Sequence, residues 1–286
     1  MIRAIAVCIA VSCFWSCGRP NEIVVGSKNF TEQVILGEIA AQQIERKLHV
    51  SVKRRLDLGG TLLTHEALVQ GGIDLYPEYT GTASLVVLKQ KMADDPVRGY
   101  MQVKDEYRKR FQLTWMPPLG FNDTFAMAVR HEDAQKLTAA TLSAADARPW
   151  RLGVGYEFLT RPDGLARLNQ TYGLKWSGTP QTMDLGLLYQ ALRQRKVDMA
   201  AGNSTDAVLA DPRFSVLTDD RKAFPNYIAC FVVREKAVSD HPGVDAALTM
   251  LSNHISEETM RGLNRKVDIE HRPVQEVAKD FLANEP

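Results

Sequence analysis

Cysteine is scarce in this 286-residue chain: there are four, and Cys8, Cys13 and Cys17 all fall near its start. Cys230 is then alone in the rest of the sequence, which leaves no intramolecular disulfide for the mature chain. The six histidines, His49, His65, His131, His241, His254 and His271, are scattered. No His-x-x-x-His, Cys-x-x-Cys or aspartate-rich calcium loop occurs, so neither a metal nor another cofactor is expected. An excess of charge of one sign is also missing. Lysine and arginine number 35 against 34 acidic residues, a net charge of +1. Nothing in that balance suggests a nucleic-acid surface or a charged tail. No apolar run reaches the ~20 residues of a membrane-spanning helix, which argues against a multi-spanning permease. The Walker phosphate loop of an ATPase is absent too.

What is present is ordinary for a soluble globular protein, with 45% hydrophobic and 24% charged residues. The length suits one large domain or two lobes. The first segment stands apart. "MIRAIAVCIAVSCFWSC" places Arg3 before an apolar run from Ala4 to Trp15, the pattern of a secretory signal over residues 1–17. Ser16-Cys17-Gly18 resembles a bacterial lipoprotein cleavage box, in which Cys17 is acylated; Trp15 departs from that box. Ordinary cleavage near Gly18 is the alternative. The expected location is the periplasm or the cell surface, with a membrane anchor at Cys17.

"EIVVGSKNF" reads as a strand and a turn, and "TEQVILGEIAAQQIERKL" as a helix with Thr31 as its N-cap. "VSVKRRLDL" alternates like a strand, "GGTLLTHEALVQGG" is a glycine-bounded helix, and "IDLYPEY" is a short strand running into a loop. This β-α-β-α-β order predicts an α/β sheet of mostly parallel strands. Ligands of such sheets sit beyond the carboxyl ends of the strands. "GSKNF" and "YPEYTGT" should therefore face one crevice. The pattern restarts with "WRLGVGYEF", "MDLGLLYQALRQRKV" and "DMAAGNSTD", and "PGVDAALTMLSNHI" and "PVQEVAKDFLA" close the chain as helices. Between the halves, "FNDTFAMAVR" and "NYIACFVVR" read as crossings.

The ordered set "VGSKNFTEQVILGEI", "DLYPEYTGT", "GFNDTFAMAVR", "EFLTRPDG", "MDLGLLYQAL", "STDA" and "FPNY" resembles the substrate-binding proteins of osmoprotectant ABC transporters. Those proteins bind glycine betaine, choline, carnitine and relatives. The resemblance implies a type II periplasmic-binding-protein fold, two α/β lobes joined by two crossing strands. The expected division is 22–124 with 229–286 for lobe one and 125–228 for lobe two. It also implies a small quaternary-ammonium ligand, permease subunits as partners, hinge closure over the ligand, and a monomer without enzymatic activity.

A quaternary ammonium donates no hydrogen bond, so ring faces and dispersion must hold it. A carboxylate at the other end needs fixed donors. By resemblance, Tyr79 and Tyr227 match the aromatic cage, and Lys28, Thr82 and Arg161 match the carboxylate donors. Phe125 stands where relatives usually carry tyrosine. Asn203 stands where many carry a further tyrosine, which opens the alternative of a related trimethylammonium ligand such as ergothioneine. Tyr156 offers a compensating ring.

Each residue also has a plainer reading. Tyr76 packs inside its own lobe, and Tyr79 could be a packed loop residue. Lys28 and Arg161 could be solvated charges, Phe125 hinge core, and Tyr227 a rigid turn residue after Pro225. Asp163 and Asp206 could cap helices. A rival of another class is an enzyme on the same fold using Cys230, although no base accompanies that thiol. Another is a sensor subunit that signals when occupied.

Overall fold

The computed structural model describes residues 22–93 and 95–284. The expected signal segment and Cys17 lie outside them. The first sheet has the order β2-β1-β3-β10-β4, built from β1 (Ile23–Gly26), β2 (Val52–Arg55), β3 (Leu75–Tyr79), β10 (Ala229–Arg234) and β4 (Leu113–Trp115). The second has the order β7-β6-β8-β5-β9, built from β7 (Gln181–Thr182), β6 (Leu152–Val154), β8 (Met199–Asn203), β5 (Phe125–Arg130) and β9 (Phe214–Leu217). In each sheet four strands run the same way and one runs against them: β10 in the first and β5 in the second. The strands are therefore mostly parallel, as expected, with one reversed strand in each sheet. The antiparallel strand is the one that has just arrived from the other lobe, so it starts at the crevice edge, where its neighbour, β3 or β8, ends.

"FNDTFAMAVR" and "NYIACFVVR" are mainly these interior strands. The connection itself is short. Asn122 and Ile228 form an antiparallel bridge, and the Asp123 N–H donates to the Tyr227 carbonyl at 3.1 Å. Cys230, in β10, is completely buried, and burial pushes its thiol far above the ordinary range. An inert core thiol follows.

Helix α1 (Thr31–Leu48) covers the first sheet with Ile35, Leu36, Ile39, Ala40 and Ile44, all buried. Its N-cap is Phe30, not Thr31. Thr31 is already helical, and its hydroxyl donates to Asp268 at 2.6 Å. Helix α2 is Thr61–Val69. Short helices such as Tyr156–Thr160 and Glu235–Asp240 escaped the sequence reading, as did two long ones, Pro96–Phe111 and Glu257–Asp268. Both are polar along most of their length, and each is signed by its cap. Asp95 accepts the Arg98 N–H ahead of Pro96, and Ser256 accepts the Thr259 N–H.

Candidate functional site

Between the lobes lies a cleft of about 2340 Å³, larger than the ~300–1,000 Å³ of a typical small-molecule pocket. All eight candidate residues line it: Lys28, Tyr79, Thr82, Phe125, Tyr156, Arg161, Asn203 and Tyr227. They do not stand in equivalent places within it.

Tyr79 ends β3 at the carboxyl edge of its sheet. Its ring stacks with Phe30 at 6.5 Å between centroids, and its hydroxyl donates to Glu32 at 2.6 Å. Glu32 belongs to α1, so the strand end and the helix start hold the ring between them. Thr80–Thr82 then turn helically where the sequence suggested a loop. Gly81 is obligatory in this turn, because a Cβ would lie 2.7 Å from the Asn226 carbonyl oxygen and 2.7 Å from the Tyr227 ring. The Thr-Gly-Thr turn is thus the seat of Tyr227.

A second group of rings meets Tyr227. Phe125 packs edge-on against Tyr227 at 5.7 Å, Phe158 at 4.9 Å and Phe224 at 5.4 Å. Asn203 pairs directly opposite Phe125 in the β5–β8 ladder. Residues opposite one another in a ladder share a face, so the amide stands on the face that carries the Phe125 ring. Tyr156 is 71% exposed at the first turn of its helix. Its exposed ring stands apart from the contacts that join Phe125, Phe158, Phe224 and Tyr227. Tyr76 is fully buried, its hydroxyl donating to Glu78 at 2.9 Å.

The cationic candidates are already paired. Lys28 Nζ lies 2.6 Å from Glu78 and 5.2 Å from the centre of the Tyr79 ring. Arg161 makes a forked contact with Asp163, Nε to Oδ1 at 2.9 Å and Nη2 to Oδ2 at 2.5 Å. Its Nη2 also donates to the Thr82 hydroxyl at 3.0 Å, and the guanidinium lies 5.2 Å from the Phe125 ring and 5.8 Å from the Tyr227 ring. Neither charge is a solvated surface residue. Asp163 caps no helix, since Gly164 occupies that position; it accepts from Arg161 and from the Tyr227 hydroxyl at 2.6 Å. Asp206 sits at the N-cap of a short 3-10 turn, but its carboxylate is used elsewhere, by the Tyr189 hydroxyl at 2.6 Å and the Asn203 N–H at 2.8 Å.

A group missed in the sequence forms the floor. The Thr205 hydroxyl oxygen is 2.5 Å from Glu32 Oε2 and 2.9 Å from Asp123 Oδ1. One hydroxyl hydrogen cannot serve two carboxylates, so the pair must retain a proton. Burial pushes Glu32 up to about 7, despite hydrogen bonds from Thr205, Tyr79 and Asn264 that act in the opposite direction. Burial and the neighbouring charges of Glu32 and Asp206 push Asp123 well above its ordinary range, and burial lifts Asp206 to about 6. Glu32 sits in "NFTEQ" and Thr205 in "STDA", but neither motif shows that the two would meet. Phe30, one residue before the expected cap, gave no signal beyond being aromatic.

A family model described as the substrate binding domain of ABC-type glycine betaine transport systems matches residues 21–284. The chain belongs to that family. Within it, the chain is 36% identical over 263 residues to an ergothioneine transport permease/ergothioneine binding protein, EgtU, of Helicobacter pylori. That alignment takes in 91% of this chain but only 47% of that protein, so the chain spans about half of its length. A glycine-betaine-binding protein of Pseudomonas aeruginosa is 32% identical over 97% of this chain and 93% of its own. A solved glycine betaine/carnitine/choline ABC transporter structure superimposes with a TM-score of 0.76 at 30% identity, covering 92% of this chain and 98% of that one. The bilobal type II fold is therefore the family's, and the family is one of transport-system binding domains, not of enzymes. Among the described residues no helix is long and apolar enough to cross a membrane.

Proposed function

We propose that this chain is the extracytoplasmic solute-binding component of an ABC importer and that its cleft captures a quaternary-ammonium osmoprotectant such as glycine betaine. The observation that carries this reading is the ring arrangement. Tyr79 with Phe30 on the first lobe, and Phe125 with Tyr227 at the crossing, present aromatic surface to one cleft, beside buried carboxylates. Rings attract a desolvated quaternary cation by about 2 kcal/mol or more each, and no donor is required of the ligand. Hinge closure brings both lobes onto the solute before it is passed to permease subunits. The lobe division at 22–124 with 229–286, and 125–228, is supported by sheet membership, since β5 to β9 form one sheet and the remaining strands the other. A lipidated Cys17 at the membrane surface and a monomeric binding unit complete the proposal.

A second reading has its own support. Asn203 places an amide where a further ring was expected, and a relative at 36% identity is named for ergothioneine. An ergothioneine-like ligand would offer ring polar groups to that amide. The deciding experiment is a thermal-shift screen of the purified protein with glycine betaine, choline, carnitine, proline betaine and ergothioneine. A ligand at a hundredfold excess over Kd adds about 2.7 kcal/mol of stability. Stabilisation by none of the five would refute the ligand class.

A further inference from the structure

Glu157 belongs to the second lobe, in the first turn of the helix Tyr156–Thr160, yet its carboxylate is bound by the first. Helix α2 has Gly60 at its N-cap, with no side-chain cap and no acidic residue in its first turn. Its free N–H groups and positive end would attract an anion. Glu157 Oε1 accepts the Thr61 N–H at 2.8 Å, and Oε2 lies 3.4 Å from the Thr61 hydroxyl and 3.5 Å from Arg161 Nη1. The approach depends on Gly60, where a Cβ would stand 2.4 Å from Oε1. Burial pushes the Glu157 carboxyl up; the Lys28 charge, the Thr61 N–H and Arg161 more than offset this and hold it below its ordinary range.

Lys28 and Arg161 are the residues expected to receive a ligand carboxylate. They already face three carboxylates of the protein: Glu78, Glu157 and Asp163. Glu78 is fully buried and Asp163 nearly so. Glu157 is half-buried, reaches from the opposite lobe, and is the one of the three that can swing away into solvent. A ligand carboxylate is therefore a fourth anion at two cations, and it competes with Glu157 for them. A ligand whose second group is a hydroxyl meets no such conflict, because Thr82 accepts from Arg161 and retains its own hydrogen to donate.

We propose that Glu157 is a specificity-determining residue, an internal competitor for the donors that a ligand carboxylate needs. It biases the cleft toward quaternary-ammonium solutes whose second group is uncharged. The inference rests on the quaternary-ammonium reading of the site. Its test is calorimetric titration of the parent and of Glu157→Gln with glycine betaine and with choline. The amide keeps an oxygen for the Thr61 N–H but loses the charge. Its expected effect is a shift of the betaine-to-choline affinity ratio by about tenfold toward glycine betaine, one decade in Kd. Glu157→Asp, which keeps the charge, should leave the ratio near the parent's. An unchanged ratio in Glu157→Gln, or an equal change for both solutes, overturns the proposal. If the parent binds neither solute, small-angle scattering of the ligand-free protein decides whether Glu157 holds the lobes together. Glu157→Ala should then enlarge the radius of gyration by releasing the lobes, and equal radii would show that Glu157 does not hold across the cleft.

Discussion

Replacing Glu32 by glutamine isolates the cost of the buried proton-sharing pair. In the folded protein burial lifts this carboxyl from 4.5 to about 7. The folded state therefore binds a proton that the unfolded chain releases, so stability falls as pH rises between these values. Below about pH 4.5 both states are protonated and the penalty vanishes. Above about pH 7 it is complete. A shift of that size corresponds to on the order of 3 kcal/mol at 1.36 kcal/mol per unit. Glutamine carries no charge at any pH, and its amide can donate to the Thr205 oxygen, freeing the Thr205 hydrogen for Asp123. Its oxygen still accepts from Tyr79. Glu32→Gln should thus match the parent within about 1 kcal/mol at pH 4, where only an ordinary hydrogen-bond exchange is at stake, and exceed it by on the order of 3 kcal/mol at pH 8. Because Glu32 and Asp123 share one hydroxyl, they titrate as a pair, and the measured midpoint belongs to both. Urea unfolding at pH 4, 6 and 8, followed by the fluorescence of Trp115, Trp150 and Trp176, gives the stability difference at each pH. A difference independent of pH would refute the argument, because it would mean that Glu32 is ionised, or exposed, in both states.

Four further outcomes are expected. Tyr79→Ala and Tyr227→Ala should each weaken binding of the solute identified by the screen by ~1–2 kcal/mol, read by calorimetry; unchanged affinity in both removes these rings from the site. Gly81→Ala should lower stability by about 1–3 kcal/mol through overpacking, since its Cβ would meet the Asn226 carbonyl and the Tyr227 ring; a melting temperature equal to the parent's would contradict the close approach. Cys17→Ala should leave the protein unprocessed or release it from the membrane fraction, and a soluble, normally processed parent would end the lipid-anchor proposal. Asn203→Tyr should tighten glycine betaine binding several-fold if the missing ring limits affinity, whereas it should weaken a ligand that the amide bonds, at a cost of ~1–3 kcal/mol for the unpaired group; no change with any ligand would place Asn203 outside the site.

Much of the fold was legible because its signals are local. Alternation in "VSVKRRLDL" and the broad apolar face of "TEQVILGEIAAQQIERKL" depend only on which residues recur at which spacing, and β2 and α1 appear there. The polar helices Pro96–Phe111 and Glu257–Asp268 bury few residues, yet Val103 and Tyr107, and Met260 and Leu263, recur at helical spacing, and Asp95-Pro96 and Ser256 with its acidic first turn mark their starts. Sheet direction was less accessible. Whether β10 lies parallel or antiparallel to β3 depends on where the chain has been between them, and a run such as "ACFVVR" reads the same either way.

The site divides along the same line. Rings and cations could be picked out one at a time, because a tyrosine or an arginine in a strand-end motif is conspicuous. Their partners could not, because neutralisation is a property of pairs. Glu78 lies one residue before Tyr79 and Asp163 two after Arg161, within the very motifs that drew attention, yet only the folded geometry shows Lys28 and Arg161 committed to them at 2.6 and 2.5 Å. That commitment changes what the cations can do. A buried arginine already forked onto a carboxylate offers a ligand only its three remaining N–H groups, and here Thr82 takes one and Glu157 lies 3.5 Å from Nη1. The discrimination between solutes is then set less by how many cations line the cleft than by which of the protein's own acids can give way, and of Glu78, Asp163 and Glu157 only Glu157 has solvent to move into.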